Sequence, residues 1–307
     1  MSIKGKFARS EQASLLPEGE APSDESKANA ISSEDHAFLA GLLRQRSGLS
    51  ITADKSRLVE RRLQPVASRH GYRDVADLLR ELRQATEALC QTVTDAMTIH
   101  DTAFFRDAST FAAFRDVILP EMMKTRRRRK ALRIWCAGAS TGQEPYSLAM
   151  ILEATPRLAS WTVDLIASDI DPDIVARARQ GIYGRFEVQR GLPSRLLARH
   201  FQQHGEDLRL TSALRRRVQF SVFNLLDSYD VLGCFDVIFC RNVLMYFDQQ
   251  SKQDVLSRLS DALAADGYLV LGAAETVMGS SKAFAPLRTA PGVYAKTGGS
   301  HSRAAMG

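Results

Sequence analysis

The sequence has no long hydrophobic run. Its uninterrupted apolar stretches, such as Val237 to Cys240, are far shorter than the roughly 18 residues that a membrane-spanning helix needs. Lys4, Lys6 and Arg9 near the start are followed by no apolar segment of the kind found in secretory signals. The four cysteines have no metal-ligand or paired spacing. These absences predict a soluble, cytoplasmic protein that is not membrane-embedded, has reduced thiols and holds no metal.

Strong charge of one sign is also missing. The 307 residues include 41 Lys+Arg and 35 Asp+Glu, for a net charge of +6. This excess is too modest to indicate nucleic-acid binding, although it could steer the protein towards an acidic partner. With 45% hydrophobic residues the composition is that of a globular protein, and the length favours two domains over one.

The first third of the chain contains no strand pattern. Residues 1–31 are rich in Ser, Glu, Ala and Pro, which predicts a disordered tail. From Ser32 apolar residues recur at helical spacing, and a helical domain is predicted over residues 32–105. Further helices are predicted from Ala53 to Arg69, Val75 to Arg83 and Glu87 to Met97.

After Pro120 short apolar runs alternate with helical segments, which predicts a parallel α/β sheet covered by helices. The segment from Arg185 to Arg217 is longer than an ordinary connection and is interpreted as an inserted subdomain. Strands are predicted over Leu132 to Ala137, Thr162 to Ser168, Val218 to Phe223, Phe235 to Cys240 and Tyr268 to Leu271. Helices are predicted from Pro145, over Pro172 to Gln180 and over Gln249 to Ala265.

The most informative stretch runs from Trp135 to Ser147, where a strand ends in a loop with Gly138 and Gly142 and a helix begins. Such a loop brings backbone N–H groups up to a ligand, typically a nucleotide-like cofactor. It is neither GxGxxG nor a P-loop, so the glycines could also be plain turn residues. Asp169 ends the next strand, where an acid can accept both ribose hydroxyls.

The same loop, Gly138-Ala139-Ser140-Thr141-Gly142, matches the G-x-S-x-G nucleophile elbow of hydrolases. A hydrolase also needs a histidine after a late strand. The available histidines, His200, His204 and His301, do not lie in such a place, and this alternative is therefore disfavoured.

Several motifs together resemble the chemotaxis receptor methyltransferases, the CheR family. They are Thr102-Ala103-Phe104-Phe105-Arg106, Trp135-Cys136-Ala137-Gly138 with Ser140 to Ser147, Ser168-Asp169-Ile170-Asp171, Gly181-Ile182-Tyr183, Asn224-Leu225-Leu226 and Phe235 to Phe247. The motifs occur in the family's order between about Ser32 and Lys296.

This resemblance implies an α/β fold: a Rossmann-like S-adenosylmethionine-dependent methyltransferase domain with a small inserted antiparallel β subdomain, preceded by a small all-α domain. The methyltransferase domain would cover residues 106–297, with the insertion at about 185–217 and a flexible tail at 298–307. The implied activity is methylation of glutamate side chains of chemoreceptors, with S-adenosylmethionine as cofactor. A carboxylate is already ionised at neutral pH, so the lack of a nucleophile–base pair agrees with this activity.

The resemblance also implies site residues, position by position. Arg241 and Tyr246 match positions that face the reacting centre. His100 stands where an Asn is common, and Gln143 replaces a frequent Glu. Cofactor-contacting positions are matched by His100, Thr102, Arg106, Glu144, Asp169, Asn224, Leu225, Arg241 and Asn242.

Two basic segments stand out. Lys55, Arg57, Arg61 and Arg62 crowd one predicted helix, where they could dock an acidic chemoreceptor or form a solvated face. The run from Arg126 to Lys130 is predicted to be a solvated helix end.

Two alternatives belong to other functional classes. A scaffold that has kept the fold but lost activity is disfavoured by the intact site motifs. A nucleic-acid methyltransferase is disfavoured because Arg241-Asn242-Val243-Leu244 stands where amino-methylating enzymes carry Asn/Asp-Pro-Pro-aromatic.

Overall fold

The computed structural model describes residues 31–298. The tails predicted at 1–31 and 298–307 therefore lie outside the described residues, apart from one residue of each. Between residues 31 and 298, no helix is both long and apolar enough to span a membrane.

The N-terminal part is helical. Ser32 begins the first helix by accepting the Asp35 N–H at 3.0 Å, and Gly48 ends it with a φ of 75° that favours glycine. Fully buried leucines such as Leu39 and Leu63 form its core. The helices are α1 (Ser33–Ser47), α2 (Ser56–Arg69), α3 (Val75–Glu81) and α4 (Glu87–Met97), with single turns at Ala53–Lys55 and Leu82–Gln84.

Arg62 corrects the predicted basic surface. Its Nη1 donates to the carbonyl oxygens of Met97 and Thr98, at 2.7 and 2.5 Å. It therefore ties α2 to the end of α4, and its Nη1 is not available to a partner. Lys55, Arg57 and Arg61 are exposed.

A seven-stranded sheet follows, in the order β6-β2-β1-β7-β8-β10-β9. The first five are parallel, and β10 is antiparallel to both β8 and β9. All six residues of β7 are buried, as expected for a central parallel strand. The strands are β1 (Ala131–Ala137), β2 (Thr162–Asp169), β6 (Val218–Val222), β7 (Phe235–Cys240), β8 (Leu263–Leu271), β9 (Phe284–Pro286) and β10 (Val293–Lys296).

Helices cover this sheet on both faces. A helical stretch precedes β1: α5 (Ala108–Ala113), a wider turn at Phe114–Ile118 and α6 (Leu119–Thr125). The others near the sheet are α7 (Gln143–Glu153), α8 (Pro172–Gln180) and α12 (Gln249–Ala262), with short turns at Pro156–Leu158, Asp230–Leu232 and Leu244–Tyr246. The last predicted helix was three residues too long, because Leu263 already pairs with Phe235 in the sheet. The antiparallel strands β9 and β10 were not predicted.

A second, antiparallel sheet has the order β3-β5-β4. Tyr183 and Phe201 from this sheet pack edge-on against Phe104, with ring centroids 5.1 and 5.6 Å away. Its strands are β3 (Ile182–Tyr183), β4 (Phe201–His204) and β5 (Asp207–Leu210), and the helices beside them are α9 (Arg185–Gln189), α10 (Ser194–His200) and α11 (Ser212–Arg215). The predicted fold class is confirmed, whereas the domain bounds 32–105, 106–297 and 185–217 stay predictions.

The basic run before β1 is not simply solvated. Arg126 is 9% exposed, and its guanidinium bonds both Asp236, at 2.7 Å, and Asp266. Arg129 also donates to Asp236, at 2.6 Å. The prediction of a solvated helix end was therefore wrong for Arg126, whereas Arg129 stays exposed while it pairs with Asp236.

Candidate functional site

The carboxyl ends of β1, β2 and β7 open into a cleft whose empty space, open solvent included, is about 970 Å³. This is where open α/β sheets bind ligands. All ten predicted site residues line it: His100, Thr102, Arg106, Glu144, Asp169, Asn224, Leu225, Arg241, Asn242 and Tyr246. The residue set predicted from the motifs is thus brought together in one place, while the role of each residue remains a prediction.

The glycine-containing loop is packed too closely for a larger residue. Gly138 has a φ of 74°, and a Cβ there would lie 2.4 Å from Cγ2 of Val243. The N–H groups of Gly138 and Ala139 both donate to the Ser168 carbonyl at 2.9 Å. The loop is therefore held against the neighbouring strand, with Gly138, Ala139 and Ser140 at the cleft.

Asp169 presents a buried acceptor at the end of β2. It is 7% exposed and accepts the N–H groups of Ser140 at 2.8 Å and Asp171 at 3.3 Å. Burial raises the pKa of Asp169, and its backbone hydrogen bonds oppose the rise. Two carboxylate oxygens have more lone pairs than these two donors use, so the side chain fits a ligand with paired hydroxyls.

His100 is directed at acidic and hydroxyl groups of the cleft wall. Its Nε2 lies 2.7 Å from Thr98 Oγ1 and 3.2 Å from Asp171 Oδ2. Burial alone would raise the pKa of Asp171, but hydrogen bonds from His100 and from backbone N–H groups outweigh it, so the pKa is lowered. Ser140 Oγ donates to the His100 carbonyl at 3.0 Å instead of to an imidazole, which argues against a hydrolase elbow.

Asp95 reaches this acidic wall from helix α4. Gln91 donates a hydrogen bond to Asp95 at 2.7 Å, and the negative charges of Asp171 and Asp173 disfavour its ionised form. Burial, followed by the charges of those two acids, raises the pKa of Asp95 to about 6. The helical part of the chain thus carries a carboxyl group that resists ionisation close to the cleft.

Arg241, which follows β7, is the most enclosed cation of the site. Its side chain is 1% exposed and donates to Glu144 at 2.7 Å and to Asp107 at 2.6 Å. Burial raises the pKa of Glu144, and the Arg241 charge opposes the rise. These bonds occupy Nη1 and Nη2 of the guanidinium, and Nε is buried without a hydrogen-bond partner among the described residues. The contact predicted between Arg241 and an incoming carboxylate stays a prediction.

Arg106 is the more accessible guanidinium. Its side chain is 32% exposed, and its Nη1 donates to the Asp101 carbonyl at 2.6 Å. Thr102 lies between these two residues in the chain and also lines the cleft. Arg106 can therefore present part of its charge to a ligand.

Asn224 and Leu225 lie where the helical part meets the sheet. Asn224 donates to the Arg46 carbonyl at 2.6 Å and accepts the Leu226 N–H at 3.0 Å. Its side-chain amide is thus used within the protein, and Leu225 supplies an apolar surface to the cleft.

The helical part also supplies residues that sequence reasoning missed. Ser47 and Leu49 line the cleft, and the Ser50 N–H donates to the Tyr246 carbonyl at 2.8 Å. Leu49 forms an isolated antiparallel bridge with Phe247. Nothing in the local sequence signals this role, because it depends on how α1 ends against the sheet.

Glu275 was also missed. It is 6% exposed and accepts backbone N–H groups from Asn242, Val243, Met245 and Gly272, at 2.6 to 3.1 Å. Its only sequence signal is an acid shortly after the last predicted strand.

Two family models match the chain. The model described as the CheR methyltransferase, SAM binding domain, matches residues 100–293, and the CheR methyltransferase, all-alpha domain, matches residues 34–98. Curated relatives similar to the chain include chemotaxis protein methyltransferases of Vibrio parahaemolyticus (35% identical, 87% of this chain and 98% of the relative), Pseudomonas aeruginosa (34%, 84% and 96%) and Escherichia coli (36%, 80% and 85%).

Solved structures give a more distant likeness. The plantazolicin methyltransferase BpumL in complex with SAH is 12% identical, with a TM-score of 0.34 over 78% of this chain and 62% of that one. A score this low does not bear on function.

The raised pKa of Asp95 generates a prediction about stability. Since the pKa is about 6 in the folded chain, against an ordinary aspartate value of 3.8, folding favours the protonated form. The stability contributed by that proton is full below the unfolded pKa and is lost as the pH rises through about 6. Asp95→Asn should therefore raise the Tm at pH 8, by about 2–4 °C for each ~1 kcal/mol, and change it little at pH 4.

Thermal melts followed by circular dichroism at the two pH values measure this difference. Glu206→Gln, at an exposed carboxyl, is the matched control and should leave both melts unchanged. An Asp95→Asn variant with the wild-type Tm at pH 8 contradicts the prediction.

Proposed function

Because the chain belongs to the CheR methyltransferase family and binds S-adenosylmethionine, we propose that it transfers a methyl group to glutamate side chains of chemoreceptors, giving methyl esters. The observation that carries the proposal is the convergence in one cleft of Asp169, the buried Arg241–Glu144 pair and the Tyr246 ring. The apolar walls suit an acceptor that must lose its water, and Arg106 can offer part of its charge to a negatively charged one.

The cleft fits the cofactor on its own geometry. Asp169 would hold the ribose hydroxyls, and the tight Gly138 loop would let the ligand approach the backbone. Leu225 would contact an apolar face of the base. The remaining predicted contacts, His100, Thr102, Arg106, Glu144, Asn224, Arg241 and Asn242, belong to the same proposal.

Glutamate methylation needs alignment more than a general base, since a carboxylate of pKa about 4.3 is ionised at neutral pH. When bound, S-adenosylmethionine supplies an electrophilic methyl group on a positively charged sulfur. The task of the protein's residues is to hold the acceptor oxygen in line and to exclude water. Orientation of this kind can contribute about 7–11 kcal/mol.

Arg106 and Tyr246 are proposed to meet the incoming carboxylate. Arg106 supports this role because it is the more exposed of the two cleft arginines, at 32% against 1% for Arg241. Arg241 is proposed to act by holding Glu144 and Asp107 in place. This proposal gives Arg241 a different role from the direct contact predicted from the sequence.

A labelled-methyl assay tests the function. The full chain is incubated with labelled cofactor and a chemoreceptor cytoplasmic fragment, and base-labile label is measured as methanol. The matched control is the same fragment with its surface glutamates changed to glutamine, and a DNA duplex forms a third arm. Label on the glutamate fragment alone supports the proposal. Label on DNA favours a nucleic-acid methyltransferase, and cofactor binding without transfer to any arm favours a scaffold.

The first prediction concerns the cofactor. Asp169→Ala should weaken S-adenosylmethionine binding by about 1–3 kcal/mol, the usual loss when hydrogen bonds to a charged acceptor vanish. Isothermal titration calorimetry measures the affinity. Asp173→Ala, an exposed acid in the first turn of α8, is the control and should bind normally. Equal affinities for the two variants would remove Asp169 from the cofactor site.

The second concerns turnover. Tyr246→Phe removes a hydroxyl and keeps the ring, so cofactor binding should stay near wild type. Turnover should fall roughly 10- to 100-fold, equivalent to about 1.4–2.7 kcal/mol of transition-state stabilisation. Single-turnover methylation at saturating cofactor and receptor measures it, and an unchanged rate would make the hydroxyl incidental.

The third concerns the receptor. We propose that Lys55, Arg57 and Arg61 dock an acidic receptor surface, since all three are exposed on or just before α2. Reversing them to Glu should raise the KM for receptor about 10-fold or more at low salt, and the difference should shrink as salt increases. Cofactor affinity should not change.

The matched control reverses Lys124, Arg127 and Arg128, which are exposed at the end of α6 and carry the same total charge. Equal effects of the two triple variants would mean that only the net charge matters and that α2 is a solvated face.

A further inference from the structure

The segment from Asn242 to Tyr246 needs an external support. It follows β7 and contains only a single turn, Leu244–Tyr246, yet Asn242, Val243 and Tyr246 all line the cleft. Asn242 has a φ of 58°, in the left-handed region that asparagine tolerates better than most residues other than glycine. The segment has little regular hydrogen bonding of its own, so other groups must satisfy its backbone N–H donors.

Glu275 holds this segment from one side. Its Oε2 accepts the N–H groups of Asn242 at 2.6 Å and Gly272 at 2.8 Å. Its Oε1 accepts those of Val243 at 3.0 Å and Met245 at 3.1 Å. One buried carboxylate thus receives four backbone donors, three of them from the segment that carries the cleft residues.

The helical part holds the other end of the same segment. The Ser50 N–H donates to the Tyr246 carbonyl at 2.8 Å, and Leu49 pairs with Phe247. The backbone is therefore held on both sides of the Tyr246 side chain: Glu275 binds the N–H of the preceding residue, and Ser50 binds the Tyr246 carbonyl. A change at either point would move the ring relative to the cleft.

We propose that Glu275 is a positioning residue for methyl transfer: its carboxylate fixes the backbone of Asn242, Val243 and Met245, and through it the placement of Tyr246 and of the cofactor-facing wall. The part concerning Tyr246 rests on the proposed function, whereas the part concerning the cofactor wall does not. Glu275 does not line the cleft and acts through the segment that it binds.

Glutamine is the sharpest substitution at this position. An ionised carboxylate only accepts hydrogen bonds, whereas a carboxamide has one accepting oxygen and one donating NH₂ group. Because each oxygen of Glu275 serves two N–H groups, either orientation of a glutamine amide sets its NH₂ against two backbone donors. The size and shape of the side chain are preserved, so any effect comes from the exchanged acceptor and the lost charge and not from packing.

The matched control is Asp236→Asn. Asp236 is also buried, at 2% exposed, and also accepts a backbone N–H, from Arg133 at 2.9 Å. It differs from Glu275 in that it also pairs with Arg126 and Arg129. It lies at the start of β7, whereas the segment bound by Glu275 follows the end of that strand. This control loses a buried carboxylate and some stability without touching the cleft.

Two readouts are compared in the full chain at a temperature where each variant is folded. Glu275→Gln should bind S-adenosylhomocysteine about 5-fold or more weakly by calorimetry and lose roughly 10- to 100-fold in single-turnover methylation. Asp236→Asn should stay within about twofold of wild type in both, despite a lower Tm. If Glu275→Gln does not fold, Glu275→Asp is tested instead. It keeps the carboxylate on a shorter side chain, so its losses of S-adenosylhomocysteine affinity and of methylation rate should be greater than twofold but smaller than those given for Glu275→Gln.

A double-mutant cycle with Tyr246→Phe tests the route of the effect. If Glu275 acts through Tyr246, the double variant should lose clearly less turnover than the product of the two single losses. Losses that multiply fully would overturn the route through Tyr246. Glu275→Gln values within about twofold of wild type, or equal losses in Asp236→Asn, would overturn the proposal as a whole. Should the wild type bind S-adenosylhomocysteine but not methylate receptor glutamates, the proposed function fails, and the binding readout alone decides the role of Glu275 at the cofactor wall.

Discussion

The site depends on one buried cation. Arg241 leaves the end of β7 and binds Glu144, at the start of α7, and Asp107, before α5, so that three distant parts of the chain meet at a single guanidinium. The guanidinium carbon Cζ of Arg241 also lies 5.6 Å from the centre of the Phe111 ring. Removing one partner of a buried ion pair leaves an uncompensated charge, which typically costs about 3–5 kcal/mol. The sheet edge, the glycine loop and the segment leading into the methyltransferase fold are therefore fixed relative to one another by electrostatics as well as by packing.

The cleft is shared between the helical part and the sheet. Asn224 binds the Arg46 carbonyl, Ser50 binds the Tyr246 carbonyl, and Arg62 holds Thr98 next to the cleft. These contacts are made largely through backbone atoms, so they constrain position more than residue type. A family with an all-alpha domain in front of its cofactor domain thus has a physical reason to keep the two together: the first forms a wall of the site of the second.

The chemistry proposed for this cleft suits its construction. A reaction that needs no general base requires mainly that its reactants be aligned. Most polar groups of the site hydrogen-bond to one another or to the backbone. Asp169 is steadied by Ser140, Asn224 by Leu226, and the segment before Tyr246 by Glu275. Groups held in this way do not have to reorganise when a ligand binds, which is how preorganised sites gain rate. Tyr183 of the small antiparallel sheet extends the same principle, because its hydroxyl donates to the Thr141 carbonyl of the glycine loop at 2.7 Å.

The sequence by itself determined the fold class and ten of the residues that line the cleft. Alternating strands and helices place Asp169 and Arg241 at the carboxyl edge, and the motifs that resemble the CheR family add Glu144, Asn224 and Tyr246, because both signals are local in the chain. Only the tertiary structure decided how these residues are used. Arg62 and Arg126 look like surface charges in the sequence but bind partners at the end of α4 and across the sheet, and Arg241 is occupied by Glu144 and Asp107. Glu275 has no recognisable motif, since its role arises from four backbone N–H groups that converge only when the segments after β7 and β8 lie side by side. Hydrogen bonds to backbone and pairings between distant segments decide which charges are free to meet a ligand. Such contacts leave little trace in local residue patterns, because their partners lie far apart in the chain.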